Sequence, residues 1–184
     1  MGSFRLVLRR GMPGDLDDVR GLADEDANSW PSQERRSEKI LNELVKGKMW
    51  VAWDGTTAAG TITVDTEEPF DVNARPLWPD DQRRKPAPYL RRIIVSRRYA
   101  GLRLGAALLD WAADMAGRDH HVALIRADVW TTNTRLHAYF ERQRFRRLAG
   151  RDPRELTGYP SRVLFEHKTE WSGRIIGNCS RRTS

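Results

Sequence analysis

Residues 93–109 constrain the fold of this chain more than any other part of its sequence. The segment opens with a run of β-branched residues, and Ile93 and Val95 fall on one face of a predicted strand. Gly101 and Gly105 then bracket a short turn, and the alanines and leucines after it favour an α-helix. A strand that enters a helix through a glycine turn directs several backbone N–H groups and the positive end of the helix dipole at one point. We interpret this point as a site for phosphate groups; the simpler alternative is a junction whose glycines only allow tight packing.

Two common nucleotide-binding patterns do not fit this glycine turn. The turn lacks the G-x-x-x-x-G-K-[ST] sequence of a P-loop. It also lacks G-x-G-x-x-G followed by an acidic residue about 20 positions later, which is the fingerprint of a Rossmann fold. The turn therefore predicts an anion site of another kind.

A second informative segment follows the turn. The sequence predicts a strand over Val122–Trp130 and then a helix over Thr134–Gln143, with Asn133 as its N-cap. On these two segments the chain resembles the GNAT superfamily of N-acetyltransferases, and the resemblance spans residues 5–170. The superfamily has V-x-x-x-x-[R/Q]-G-x-G-x-G/A at the end of a strand and N-x-x-A-x-x-x-Y-x-x-x-G-F further along. The matching residues are Val95, Gly101 and Gly105 in the first pattern and Asn133 and Phe145 in the second.

Five residues differ from these two patterns. Arg103 stands at the middle glycine, where we expect helical backbone angles. Its side chain either holds a phosphate or crowds the cofactor, and we favour the first. Arg144 stands where a glycine usually ends the second helix in a left-handed conformation, and we expect a cost of about 1 kcal/mol there. The other three are Ala100 for arginine or glutamine, Leu136 for alanine and Phe140 for tyrosine.

The resemblance implies an α/β fold of the GNAT type. Such a fold has a mixed, mainly antiparallel sheet of six to seven strands, about four flanking helices and splayed central strands. The element order predicted from the sequence, β-α-α-β-β-β-α-β-α-β-β, agrees with it. We expect one domain over residues 1–170, followed by a basic, mobile tail over residues 171–184.

Several individual elements have predicted boundaries. The first strand is expected at Phe4–Leu8. A helix is expected over Ser32–Lys46, with Leu41 and Val45 among the residues that face the core. The other predicted elements are a hairpin turn at Asp54–Gly55, an irregular loop over 66–88 and a helix over Leu102–Met115.

The resemblance implies acetyl-CoA as the acyl donor. Its pantetheine arm would pair with the backbone near Ile93 and Val95, and N–H groups of the turn over 100–106 would bind its pyrophosphate. Glycine suits this turn because no Cβ blocks the approach of the cofactor. The predicted cofactor residues are Ile93, Ile94, Val95, Arg98, Ala100, Gly101, Leu102, Arg103, Leu104, Gly105, Ala106, Asn133 and Phe140.

Acetyl transfer to an amine requires a base for the proton of the amine, a donor for the oxyanion and an acid for the leaving thiolate. The resemblance places the backbone N–H of Val95 at the oxyanion and a tyrosine of the second helix at the thiolate. Phe140 cannot donate a proton, so Tyr139 is the candidate acid; core packing is the alternative for both rings. Asp128 is the candidate base, with surface solvation as its alternative. Further base candidates, beside the long loop and with the same alternative, are Asp65, Glu67 and Glu68.

The chain has a net charge of +7, and Arg97, Arg98 and Arg103 lie on the glycine turn. This excess of positive charge suits an anionic cofactor or a nucleic acid, and we rank nucleic acid second because no RNA-stacking aromatic motif is present.

A single cysteine, Cys179, and four histidines without metal-ligand spacing predict no metal site. No apolar run approaches the length of about 20 residues that a membrane span needs, and the N-terminus lacks a signal-peptide core. The sequence therefore predicts no membrane association and a cytoplasmic location.

Three functions stay open at the level of the sequence. The first is an N-acetyltransferase that acts on a primary amine of a small molecule, peptide or protein, for which the resemblance also admits a homodimer. The second is a non-catalytic GNAT-fold protein that binds CoA or another ligand, which the departures at Ala100, Arg103 and Phe140 suggest. The third is an acyltransferase acting on aminoacyl-tRNA, which the basic charge suggests.

Overall fold

The coordinates are a computed structural model that describes residues 6–25, 33–68, 78–148 and 162–169. The predicted tail over 171–184 lies outside these residues, as does the beginning of the predicted first strand. The strands are β1 (Leu6–Arg10), β2 (Met49–Asp54), β3 (Thr57–Asp65), β4 (Tyr89–Val95), β5 (Leu124–Trp130), β6 (Arg146–Leu148) and β7 (Arg162–Lys168). The helices are α1 (Leu16–Glu25), α2 (Gln33–Val45), α3 (Asp80–Arg83), α4 (Leu104–Asp119) and α5 (Thr134–Arg142).

The strands form one seven-stranded sheet in the order β1-β2-β3-β4-β5-β7-β6. Four of the pairs, β1–β2, β2–β3, β5–β7 and β6–β7, are antiparallel, whereas β4 and β5 are parallel. The parallel register joins Tyr89 to Arg126 and Leu90 to Ala127 at the beginning of β4. The predicted mixed, mainly antiparallel sheet is therefore confirmed, and the splaying of its central strands stays a prediction.

The element order agrees with the sequence apart from one additional helix. An irregular loop is expected over 66–88, but α3 lies within it, so this expectation is wrong for residues 80–83. Pro79 precedes α3 and two aspartates occupy its first turn, a combination that favours a helix start. The helix α4 starts and ends later than the predicted Leu102–Met115. With α3 included, the described residues contain five α-helices rather than about four.

Contacts divide the described residues into two compact units. The first unit comprises residues 6–25, 33–64 and 92–109. The second unit comprises residues 65–68, 78–91, 110–148 and 162–169. The single domain over 1–170 stays a prediction of the sequence.

In the first unit, α1 and α2 each bury one apolar face in a common core with β2 and β3. Ile40 and Leu44 of α2 are buried, but Leu41 and Val45 are 38% and 65% exposed, so the prediction that these two face the core is wrong. Positions i and i+4 share one side of a helix, and α2 turns its Ile40 side inward. The core cluster is Val19, Leu22, Ala23, Ile40, Leu44, Met49, Val51, Trp53, Ala58 and Ile94.

A buried carboxylate fixes the start of α1. Asp15 ends a short 3-10 turn, and its side chain accepts hydrogen bonds from Nη1 and Nη2 of Arg9 at 2.7 and 2.8 Å. It also accepts one from the backbone N–H of Met12 at 2.8 Å. The hydrogen bond from Arg9 holds the pKa of Asp15 below its ordinary value, although burial alone would raise it.

Replacing Asp15 with asparagine should lower the free energy of unfolding by about 2 kcal/mol at pH 7, because hydrogen bonds to a charged group are worth about 1.5–3 kcal/mol. The folded-state pKa lies below the unfolded-state value, so this contribution is present above about pH 4 and is lost as the pH falls through the folded-state pKa. Urea unfolding at a series of pH values should show the difference shrink on acidification. Asp17→Asn is the control, because that side chain is 92% exposed. A destabilisation that does not depend on pH would contradict the prediction.

In the second unit, the arginine of β5 is completely buried. The guanidinium of Arg126 lies 4.8 Å from the ring centroid of Trp78, which is fully buried as well. Its Nη2 donates to the carbonyl of Gln82 at 2.6 Å, and its Nε is 3.4 Å from Oε2 of Glu166. These contacts fasten the segment before β4 to β5 and β7.

Candidate functional site

The glycine turn connects β4 to α4. After Val95 the chain forms the 3-10 turn Arg97–Tyr99, passes through Gly101 at φ +82° and Arg103 at φ +59°, and enters α4 at Leu104. Both φ angles lie in the left-handed region, which glycine adopts readily and arginine rarely does. The expectation of helical angles for Arg103 is therefore wrong. This residue precedes the helix, and its backbone turns the chain into α4.

The first N–H groups of α4 are available to a ligand. Within the described residues, the N–H groups of Leu104, Gly105 and Ala106 have no hydrogen-bond acceptor. The first hydrogen bond at this end of the helix runs from the N–H of Ala107 to the carbonyl of Arg103, at 3.0 Å. The three residues before α4 are exposed, so this end of the helix is open to solvent. Free donors at the positive end of a helix dipole bind anions, and the phosphates of a nucleotide cofactor fit them.

Two hydrogen bonds attach the turn to the β2–β3 hairpin, and one closes the turn internally. The N–H of Ser96 donates to the carbonyl of Ala59 at 2.9 Å. The Oγ of Ser96 accepts from the N–H of Arg98 at 3.4 Å. The hydroxyl of Tyr99 donates to Oδ2 of Asp54 at 2.9 Å. Neither Tyr99 nor Asp54 carries a sequence signal for this contact, because 45 residues separate them.

The strand that is predicted to meet the pantetheine arm is kinked. Ile94 is buried in the core of the first unit, whereas its neighbours Ile93 and Val95 are half-buried. Just before them, Arg92 has a φ of +46°, and its carbonyl accepts a hydrogen bond from Oγ1 of Thr61 at 3.0 Å. A residue other than glycine in this region costs of the order of 1–3 kcal/mol, so the surrounding contacts must hold the kink in place.

A buried carboxylate accompanies this kink. The sequence has no glutamate within Tyr89–Val95, but the structure brings Glu43 of α2 against the guanidinium of Arg92. Glu43 also accepts a hydrogen bond from Oγ1 of Thr63 at 2.7 Å. Burial lowers the pKa of Arg92 to about 10. Glu43 therefore compensates a buried cation.

The other predicted site residues lie in the second unit. Asp128 is half-buried on β5. Asn133 caps α5, as predicted, since its Oδ1 accepts from the N–H of Leu136 at 3.1 Å. Tyr139 is half-buried on α5, and its ring centroid is 6.2 Å from that of Phe140.

Phe140 is packed inside the second unit. Its ring stacks on Phe165 at a centroid distance of 5.3 Å and meets Phe145 edge-on at 4.9 Å. This burial agrees with the packing alternative for Phe140, and its contact with the cofactor stays a prediction. After α5 the chain passes through Arg144 at φ +63°, the left-handed conformation predicted for that position.

The acids beside the long loop have partners in the second unit. Oδ2 of Asp65 is 3.6 Å from Nη1 of Arg91. Oε2 of Glu68 accepts from Nε of Arg83 at 2.9 Å. The exposed Glu67 donates its backbone N–H to Oδ1 of Asp65 at 3.0 Å. The carboxylates of Asp65 and Glu68 therefore serve the local structure of this segment.

Three arginines lie on the glycine turn. Arg97, Arg98 and Arg103 are exposed, and their charge suits phosphate groups. In the part of the chain that the structure describes, histidine, cysteine, aspartate and glutamate side chains form no group of three suited to a metal ion. The helices of that part also include none long and apolar enough to cross a membrane.

Comparison with known proteins decides the family. Residues 16–145 match the profile of a family described as the Acetyltransferase (GNAT) family. The chain belongs to the GNAT family of acetyltransferases. Proteins of this family transfer an acyl group from acetyl-CoA to an amine, so the predictions of the family, the enzyme class and the acyl donor are confirmed at that level.

Individual relatives agree with this assignment. Uncharacterized N-acetyltransferase YesJ of Bacillus subtilis (strain 168) is 31% identical over 124 residues, which cover 66% of this chain and 66% of the relative. A GNAT-family acetyltransferase from Listeria monocytogenes 4b F2365 superimposes with a TM-score of 0.65 at 20% identity, covering 89% of this chain and 94% of its own. PaiA N-acetyltransferase from Thermoplasma acidophilum, in complex with coenzyme A, has a TM-score of 0.60 at 16% identity, with coverages of 89% and 98%. The likeness to these two solved structures establishes the predicted GNAT-type fold.

Proposed function

We propose that this protein transfers an acetyl group from acetyl-CoA to a primary amine of a small molecule, peptide or protein. The observation that carries the proposal is the start of α4, whose first N–H groups lack acceptors among the described residues and follow the left-handed Gly101. A helix N-terminus of this kind binds phosphate groups, and the exposed arginines beside it add positive charge. Membership of the GNAT family supports the type of reaction.

The first unit is proposed to hold the acyl donor, which supplies an activated thioester. The N–H groups of Leu104, Gly105 and Ala106 donate to its pyrophosphate, and Arg98 and Arg103 bind phosphate oxygens through their guanidinium groups. The backbone near Ile93 and Val95 pairs with the pantetheine arm as an added strand would. The left-handed backbone of Arg103 lets this residue replace a glycine at the cost of local strain.

Three groups of the chain are proposed to carry out the transfer. Asp128 takes a proton from the ammonium group of the acceptor, which leaves a neutral amine that can attack the thioester carbon. The backbone N–H of Val95 donates to the oxyanion as the new C–N bond forms. Tyr139 gives its phenolic proton to the sulfur as the C–S bond breaks. The nitrogen loses its second proton to solvent as it becomes an amide, and solvent returns a proton to the phenolate.

The experiment that tests this function combines a binding titration with a turnover assay. Calorimetric titration should show that acetyl-CoA binds, and a thiol-detecting assay with a panel of amines should show acceptor-dependent release of CoA. Tyr139→Phe should then lower kcat by about 10²-fold or more, because it removes a general acid. The KM for acetyl-CoA should stay unchanged, since the proposed phosphate contacts come from the glycine turn and not from α5. The absence of any acetyl-CoA binding would refute the proposal, and an unchanged kcat would remove Tyr139 from the mechanism.

A non-catalytic CoA-binding protein is the second candidate. It is favoured by Phe140, which occupies the tyrosine position of the family pattern and is only 3% exposed within an aromatic cluster. Tight binding of acetyl-CoA without thiol release for any amine in the panel would support this candidate over the enzyme.

A further inference from the structure

Tyr99 is the buried member of an otherwise exposed turn. Its neighbours Arg98 and Ala100 are both exposed, whereas Tyr99 retains 1% of its accessible surface. A side chain buried at this point fixes the backbone on either side of it, because the turn cannot move without exposing the ring. The residues fixed in this way belong to the proposed phosphate site.

The hydroxyl of Tyr99 adds a directed contact to this burial. It donates to Oδ2 of Asp54, which ends β2 at the tip of the β2–β3 hairpin. Burial, with the hydrogen bond to Asp54, raises the pKa of Tyr99. The phenol therefore remains a neutral donor at neutral pH, and the turn stays attached to the hairpin.

The ring of Tyr99 also contacts Arg98, a positively charged residue of the proposed site. The guanidinium of Arg98 lies 5.7 Å from the centroid of the ring, within the range of a cation–π interaction. One side chain thus joins Arg98 to Asp54, although Asp54 is far from the turn in sequence.

We infer that Tyr99 and Asp54 are positioning residues for cofactor binding. Their hydrogen bond holds Arg98 and the N–H groups after Gly101 in the arrangement that receives phosphate groups, and neither residue needs to touch the cofactor. The inference rests on the proposed function, because it assumes that the turn binds CoA.

The charge of Asp54 makes the inference testable. A carboxylate close to an anion site repels phosphate, so its removal should strengthen CoA binding if charge alone mattered. If Asp54 acts by holding Tyr99, its removal should weaken binding instead. Asparagine at this position loses the charge and keeps an oxygen that accepts from Tyr99.

The experiment is a calorimetric titration of CoA into the full chain and four variants. Tyr99→Phe and Asp54→Ala should each raise the Kd by about three- to tenfold, which corresponds to the loss of one hydrogen bond. Asp54→Asn should stay within about twofold of the wild type, since a neutral acceptor preserves the contact. The Kd of the double variant Tyr99→Phe/Asp54→Ala should be no higher than the higher of the two single-variant values, because both substitutions remove the same hydrogen bond.

A matched control separates positioning from loss of stability. Tyr89→Phe also removes the hydroxyl of a buried tyrosine, but in the second unit, and it should leave the Kd for CoA unchanged. Tighter binding by Asp54→Ala, equal weakening by Asp54→Asn and Asp54→Ala, or an unchanged Kd in Tyr99→Phe would each overturn the inference alone. A wild-type protein that does not bind CoA would overturn the inference together with the proposed function.

Discussion

Replacing Gly60 with alanine should lower the free energy of unfolding by about 2 kcal/mol, because overpacking of this kind costs about 1–3 kcal/mol. A Cβ at this position would lie 2.8 Å from the carbonyl oxygen of Ile94 and 3.4 Å from Cδ2 of Leu104. The first distance is shorter than real contacts of this type, and a backbone oxygen cannot rotate away as a flexible side chain can. The strands β3 and β4 must therefore move apart, and urea unfolding of both proteins measures the cost.

The same substitution at Gly21 is the control, and its effect should have the opposite sign. Gly21 is an exposed position within α1 where an added Cβ would meet nothing within 4 Å. Alanine is favoured over glycine in a helix, so Gly21→Ala should stabilise the protein by up to about 1 kcal/mol. Gly60→Ala should also weaken acetyl-CoA binding, because Ile94 is one of three consecutive predicted cofactor residues. Similar changes in the free energy of unfolding at both glycines would contradict the prediction, because they would show that the close approach of Gly60 to the carbonyl of Ile94 does not determine stability.

The sequence predicted correctly those features that depend on neighbouring residues. The hairpin turn predicted at Asp54–Gly55 is present, and it passes through Gly55 at φ +60° before β3 begins at Thr57. The cap at Asn133 and the left-handed Arg144 follow from helix-end chemistry within a few positions. Each of these features has its physical cause within one turn of helix or strand, and a sequence displays such causes directly.

Strained backbone conformations were harder to predict from the sequence. Arg103 and Arg92 both have left-handed φ angles, and an arginine gives no signal for this conformation because it adopts it rarely. Their conformations are imposed by what surrounds them, such as the hydrogen bond of Thr61 to the carbonyl of Arg92. The exposed Leu41 and Val45 show a related effect, since an apolar pattern with more than one face leaves the choice of buried face to tertiary packing.

Long-range polar contacts were the hardest features to predict from the sequence. The pair of Tyr99 and Asp54 spans 45 residues, and the pair of Arg126 and Glu166 spans 40. An arginine in a strand predicts an exposed position on average, because charged side chains are seldom fully buried without a partner. Arg126 is buried only because Trp78, Gln82 and Glu166 converge on it in the fold, and this convergence makes it a sensitive point of the second unit.

Replacing Arg126 with methionine should lower the free energy of unfolding by about 3–5 kcal/mol, because breaking a buried ion pair leaves the charge of the buried partner poorly compensated. The variant removes the hydrogen bond to the carbonyl of Gln82 and the cation that lies over Trp78. Glu166 keeps its second arginine, but that residue, Arg146, is 72% exposed and compensates a buried charge less well. Urea unfolding followed by tryptophan fluorescence measures the change in the free energy of unfolding.

The double variant Arg126→Met/Glu166→Leu distinguishes a lost ion pair from lost packing. Replacing both members of a buried pair with apolar residues of similar size is often close to neutral, so the double variant should recover much of the stability that Arg126→Met loses. If packing on Trp78 were the main contribution of Arg126, methionine alone would preserve most of it, and Arg126→Met would cost less than about 1.5 kcal/mol. A double variant less stable than Arg126→Met would contradict the account, since it would mean that Glu166 stabilises the second unit independently of Arg126.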